Sequence, residues 1–330
     1  MKLVRRLLWY LIGIVATLAV MYMISLAGFG LPGLIETGLL AMTPLALAAV
    51  GECLNEQAGT VNVGMEGIFL VTAVLGVLWA EVFGSGLYGL ILGSATGALM
   101  GLMFGVVCVY GKANQVIAGM GLNILALGLG PYLLMSIWAF PGIHMFRREL
   151  MFEPIQFRSG DVYFSLSPVT IAAIVIAILA YLLLRRTLLG VRIRAAGENP
   201  MAVDVAGVSV WRIRLYMCVA GGALAGLGGA FMPLAWFGGV VKEISAGRGF
   251  IALAAVVFAG LDPLLALVAA FIFGFSEGVA YTVVVSPGVK EIVPFYFVQM
   301  MPYAVTLLIL VAAIGGKKFP RALGRPYVRE

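Results

Sequence analysis

The chain alternates long apolar runs with short polar interruptions, and that spacing sets the expected elements. A helix needs about 17–25 residues, mostly apolar, to cross a bilayer. Runs of this kind fall at approximately 7–28, 33–51, 65–82, 87–110, 115–138, 167–184, 213–236, 248–260, 263–283 and 295–314. That makes about ten segments, with the third and eighth short enough to be half-helices or re-entrant segments. The first run follows the basic start MKLVRR and outlasts a signal-peptide core of about 7–15 residues, so it reads as a retained extra helix within residues 1–30. The pattern predicts an all-α polytopic membrane protein, with a single transmembrane domain over residues 1–330.

Composition agrees. The 330 residues are 62% hydrophobic and 11% charged, with a mean hydropathy of +1.09. Soluble domains carry roughly 25% charged residues, so the solvent for most of this chain is lipid. The 43 glycines fit that reading. Small residues let helix backbones approach where lipid supplies no hydrophobic drive for association.

Lysine and arginine then set the orientation. With the N-terminus inside and ten crossings, fifteen of the 21 basic residues fall inside and six outside. Both termini and the 188–214 stretch are therefore expected in the cytoplasm, with 139–166 as the longest external loop. The net charge of +6 is read as topology, with lipid as the partner and no nucleic acid, since no basic patch sits on a soluble face. Cys53, Cys108 and Cys218 lack CxxC spacing and His144 is the single histidine, so no disulfide and no metal centre is expected. There is no Ser/His/Asp set, HExxH or P-loop, so the chain is expected to have no enzymatic activity and to bind no cofactor. Energy for uphill transport would come from elsewhere.

Polar groups inside the apolar runs are costly and mark candidates. The first cluster, GECLNEQAGTVNVGMEG (51–67), holds Asn62 and Glu66 and is read in part as a cytoplasmic connection. The second, NQVIAGMGLN (114–123), holds Asn114, a cap for the next helix, and Asn123, at membrane depth. Asn62, Glu66, Asn114, Asn123 and Arg248 are the candidates for lining a pathway; capping and packing are the alternatives. Glu277 and Gln299 are similar lone groups, and no close-spaced proton relay is evident. VGMEGIFLVTAVLG (63–76) and AGRGFIALAAVVFAG (246–260) resemble each other and would run in opposite directions, which suggests an inverted repeat.

One stretch is conspicuously polar. In GENPMAVDVAG (197–207), Asn199 suits an N-cap, Pro200 the first helical position and Gly207 the position after the helix. The predicted helix, 200–206, is too short to stand alone in water and must dock on something. It packs on its own bundle or serves as a docking helix for a cytoplasmic motor.

The residues at 197–230, beginning GENPMAVDVAGVSVWRIR, resemble the cytoplasmic coupling region of permease subunits in ABC importers of the branched-chain amino acid and ribose permease family. GECLNEQAGTVNVGMEGIFL (51–70) is similar to that family's first-half signature, and AGRGFIALAAVVFAGLDPL (246–264) also fits. NQVIAGMGLNILALGLG (114–130) resembles the subgroup handling nucleosides and simple sugars. The resemblance runs over roughly 35–315, with Cys53 and Gln57 as departures. It implies a multi-pass protein of the cell (inner) membrane and a separate cytoplasmic ABC ATPase that holds the ATP. It further implies a second permease subunit, often non-identical, and an external substrate-binding protein, often a lipoprotein. Gly197, Glu198, Asn199, Pro200, Ala202, Asp204 and Gly207 would couple the chain to the ATPase. The implied cargo is a nucleoside or related purine or simple sugar; branched-chain amino acids or ribose are the alternative, and an ion-coupled secondary transporter is the alternative from another class.

Overall fold

The computed structural model describes residues 31–140, 142–159, 162–285, 300, 304, 306 and 319–328. Helix α1 spans Leu31–Gln57, α2 Met65–Phe83, α3 Gly86–Gly105 and α4 Gln115–Trp138. After two short strand pairs come α5 (Pro168–Arg186), α6 (Leu188–Glu198), α7 (Pro200–Val205), α8 (Val210–Phe231), α9 (Arg248–Ala259) and α10 (Pro263–Val285). Wide π turns extend α3 over Val106–Tyr110 and α8 over Met232–Phe237. Among the described residues seven helices, α1 to α5, α8 and α10, are long and apolar enough to cross a membrane, while α9 is shorter. The segment predicted at 7–28 lies outside the described residues, as does the one at 295–314 apart from 300, 304 and 306.

Helix boundaries follow ordinary capping chemistry. The Asn114 side chain accepts from the backbone N–H groups of Val116 (3.0 Å) and Ile117 (3.2 Å), opening α4. Ser167 caps α5 with Pro168 at its first position, and Ser209 caps α8. Gly84 closes α2 in the left-handed region at φ 68°, where a side chain would be strained.

Glycine contacts set the packing. A methyl on Gly97 or Gly101 of α3 would land on main-chain atoms of Gly222 and Cys218 of α8. Gly274 and Gly278 of α10 meet the backbone of α1 at Met42 and Gly38 in the same way. Gly51 of α1 lies against Gly221, and Pro44 against Gly228. In each pair one set of numbers rises as the other falls, so α3/α8, α10/α1 and α1/α8 are all antiparallel. The α3/α8 and α10/α1 contacts match: each is made through two glycines four residues apart, Gly97 and Gly101 of α3 and Gly274 and Gly278 of α10. Such close approach gives dispersion contact where apolar burial supplies no drive. Helix α4 lies at the periphery, with Ile117, Ile124 and Tyr132 two-thirds or more exposed at 70%, 69% and 66%, a surface suited to lipid.

Two expectations need correction. The span expected at 33–51 runs further: α1 continues through Gln57 with Glu52, Asn55 and Glu56 buried, so the part of 51–67 that forms the link is 58–64. Asn55 Nδ2 donates to the Glu52 carboxylate one turn back (2.7 Å), within the helical run. The 188–214 stretch carries two helices, α6 and α7, and α7 ends at Val205 rather than 206. The all-α expectation fits a mostly helical chain whose strands are two short pairs outside the spans. In the 139–166 loop, Ile143–Met145 pairs antiparallel with Gly239–Val241, and Ile155–Ser159 with Val162–Leu166. Backbone N–H and Ser165 hydroxyl groups donate to Glu36, tying this hairpin to the start of α1.

Candidate functional site

Helices α2 and α9 both begin in the interior of the bundle, and protein groups fill both starts. A helix N-terminus leaves backbone N–H groups without intrahelical partners and carries partial positive charge. At α9 the Glu66 carboxylate satisfies it. One oxygen accepts from Ser245 Oγ (2.5 Å) and Gly247 N (2.7 Å), the other from Gly249 N (2.7 Å). At α2 the carboxamide of Asn123 serves: Oδ1 accepts from Gly67 N (2.8 Å) and Nδ2 donates to Val63 O (3.0 Å). Gly249 packs directly on the backbone of Glu66, and no side chain would fit there. The two stretches that resembled each other in sequence, around Gly64-Met-Glu-Gly67 and Gly247-Arg-Gly249, thus meet in space.

Arg248 turns away from that junction. Its guanidinium donates to the carbonyls of Ile244 (2.8 Å) and Ser245 (3.2 Å) and pairs with Glu277. It also lies over the rings of Trp236 and Phe237, 5.0 and 5.2 Å from their centres. Both charges are at least nine-tenths buried. Arg248 Nε and Glu277 Oε2 nevertheless have no hydrogen-bond partner among the described residues, nor do Asn55 Oδ1 and Asn62 Nδ2. Asn62 is held by its own backbone, whose N–H donates to Glu52 (2.6 Å), while its Oδ1 accepts from Gly64 N (2.9 Å).

The structure therefore gathers Glu66, Asn123 and Asn62 around the start of α2, and Arg248 onto α9 beside them. Asn114 stands apart as the cap of α4. Its neighbour Gln115 is the buried member, accepting from Val61 N at 2.7 Å. Glu277 was legible as a lone intramembrane acid; its pairing with Arg248 was not.

The second region is the α6–α7 segment. Thr187 caps α6 (Gly190 N, 3.0 Å), and Asn199 caps α7 through Ala202 N (3.2 Å), with Pro200 at the first position and Gly207 at φ 79°. Val203 is buried, whereas Met201 and Val205 are 50% and 85% exposed. Gly197 packs on the backbone at Gln57 and Gly59. Glu198 pairs with Arg321 (3.1 Å), and Asp204 accepts from the Tyr327 hydroxyl (3.0 Å). Arg214, almost wholly buried, donates to three carbonyls: Ala58 (3.1 Å), Ala196 (3.4 Å) and Arg325 (2.8 Å). The sequence pattern singles out neither Arg214 nor residues 319–328 for this contact. Three backbone carbonyls as partners leave no sequence signal.

A bundle of spanning helices built on glycine contacts, with paired charges inside and an apolar outer face, is a multi-pass membrane protein. A family model described as the permease component of the branched-chain amino acid transport system matches residues 34–314. The chain belongs to that family. It is 33% identical over 304 residues to the nucleoside ABC transporter permease protein NupC of Lactococcus lactis subsp. cremoris, covering 88% of this chain and 95% of NupC. It is 32% identical over 313 residues to the guanosine ABC transporter permease protein NupQ of Bacillus subtilis, covering 90% and 96%. The putative glucose ABC transporter permease protein TsgC13 of Haloferax volcanii is 31% identical over 325 residues, covering 90% and 98%. The first two organisms each hold a second, more distant relative, 26% and 25% identical.

Proposed function

We propose that this chain is the permease subunit of an ABC importer that carries nucleosides, driven by a separate cytoplasmic ATPase. The observation that carries the coupling half of this reading is α7. It is a short, fully capped helix with one face buried on the bundle and Met201 and Val205 facing outward. A helix of six residues is stable only when held on both flanks, and an exposed apolar pair on it suits a groove in a partner. Gly197, Glu198, Asn199, Pro200, Ala202, Asp204 and Gly207 form and hold that unit. The cargo class rests on the names of the relatives, two of which are nucleoside or guanosine permeases.

In this reading the chain crosses the membrane about ten times with both termini in the cytoplasm. Its halves form an inverted repeat, as the matched α3/α8 and α10/α1 contacts support. The paired relatives in two organisms support a second, non-identical permease subunit beside this one. A substrate-binding protein outside delivers the solute, and ATP stays on the ATPase. The pathway runs past the starts of α2 and α9. Glu66 and Asn123 hold those starts in place. Asn62 and the Arg248–Glu277 pair keep unused hydrogen-bonding capacity for a polar solute.

Uptake of labelled guanosine and adenosine in cells with and without this gene tests the reading, with unlabelled ribose and leucine as competitors. Loss of nucleoside uptake in the deletion, unaffected by either competitor, is expected. Unchanged nucleoside uptake would overturn the cargo assignment and move it to sugars or amino acids.

A further inference from the structure

The C-terminal stretch 319–328 is not a free tail. It lies across the α6–α7 segment and is held along its length. Ala322 N donates to Gly197 O (2.9 Å), and Gly324 N to Gly59 O (3.2 Å). Arg321 pairs with Glu198, and its backbone N–H reaches the same carboxylate. Tyr327 is buried against Ala196, Val203 and Val210. Its hydroxyl donates to Asp204, its carbonyl accepts from the Trp211 indole (3.4 Å), and its ring lies 6.0 Å from that indole. The Arg325 carbonyl accepts from Arg214, whose other hydrogen bonds go to the ends of α1 and α6.

We infer that residues 319–328 are a strap that sets the position of the coupling helix, with Tyr327 and Arg214 as its positioning residues. The inference rests on the proposal that α7 engages an ATPase. The strap covers the Val203 side of α7 and ties it to the α1–α2 link at Gly59, leaving the Met201 and Val205 side outward. A six-residue helix has little stability of its own, so what holds it decides whether a push moves the helix alone or moves the bundle. Through Arg214 the strap joins α7 to Ala58. From there the chain runs six residues to Gly64 at the start of α2, which Asn123 holds, and Glu66 then holds α9. The strap therefore stiffens the link between α7 and the interior helix starts.

The test uses the full-length chain in lipid nanodiscs with a nitroxide at Ala206→Cys, an exposed position beside α7 outside its apolar pair. It compares Tyr327→Phe and a stop codon after Gly324, which removes residues 325–330. Net hydrogen-bond strength sets the expected effect of the hydroxyl at roughly two- to tenfold in the docked population of α7. Label mobility is expected to rise in Tyr327→Phe and more in the truncation. Solute moved per ATP should fall in the same order in the assembled transporter, with membrane levels and ATP hydrolysis retained. Equal label spectra in all three proteins, or an unchanged transport-to-ATP ratio in Tyr327→Phe, would overturn the strap. The ATPase reading fails separately, if adding the ATPase leaves the wild-type label unmoved.

Discussion

Glu66→Gln is the most informative single substitution, because one carboxylate answers three donors at the start of α9. Glutamine keeps one oxygen, which can go on accepting from Ser245 and Gly247. Its NH2 then faces the Gly249 N–H, donor against donor. An unsatisfied buried donor costs about 1–3 kcal/mol. Removing a negative charge from a helix N-terminus costs about 0.3–2 kcal/mol more. Glu66 is 8% exposed, so water compensates little. The expected loss is about 1.3–5 kcal/mol, equivalent to a fall in Tm of about 2–7 °C at this chain length. Thermal melting of the purified protein in detergent, followed by tryptophan fluorescence, measures it. Glu66→Ala should melt lower still, since all three donors lose their acceptor. Nucleoside uptake should fall in step with the folded fraction. A Glu66→Gln protein that melts like the wild type would refute the helix-start role. If it also failed to transport, the carboxylate would instead be acting on the solute.

Asn123→Leu leaves Gly67 N and Val63 O without partners at the start of α2. The protein level in the membrane is expected to drop, and immunoblotting of membrane fractions checks it; a normal level with lost uptake would point to solute contact. Gly101→Val would drive a side chain into the Cys218 carbonyl and part α3 from α8. Failure to assemble is expected, read as loss of a monodisperse peak on size exclusion, whereas Gly121→Ala, with open space around it, should behave as the wild type.

The seven described spans were legible because lipid imposes one requirement, a long apolar run, that local sequence meets by itself. The cap of α7 was legible for the same kind of reason: Asn199, Pro200 and Gly207 act within a few residues of themselves. Helix α6 was not. Its glycines and arginines, LLGVRIRAAGE, look like a solvated loop. The helix forms because Gly190 nests under the Leu183 and Leu184 carbonyls, and Arg194 donates to Gly190 O. The polar end of α1 was misjudged likewise, since a buried Glu52 is acceptable only once Asn55 and the Asn62 backbone meet it. Glu66 could be placed in the first turn of α2 from sequence. Its true service, to a helix that starts 182 positions later, depends on tertiary contact.

The pairing of early helices with late ones bears on how the molecule is made. Helix α1 finds its glycine partner in α10, and α3 finds its own in α8. At synthesis rates of about 5–20 residues per second, α1 waits on the order of ten seconds or more before α10 exists. Until then the stretch of α1 around Gly38 and Met42 lacks its α10 partner. The first half can enter the membrane early but cannot settle, and assembly completes only as the last helices arrive.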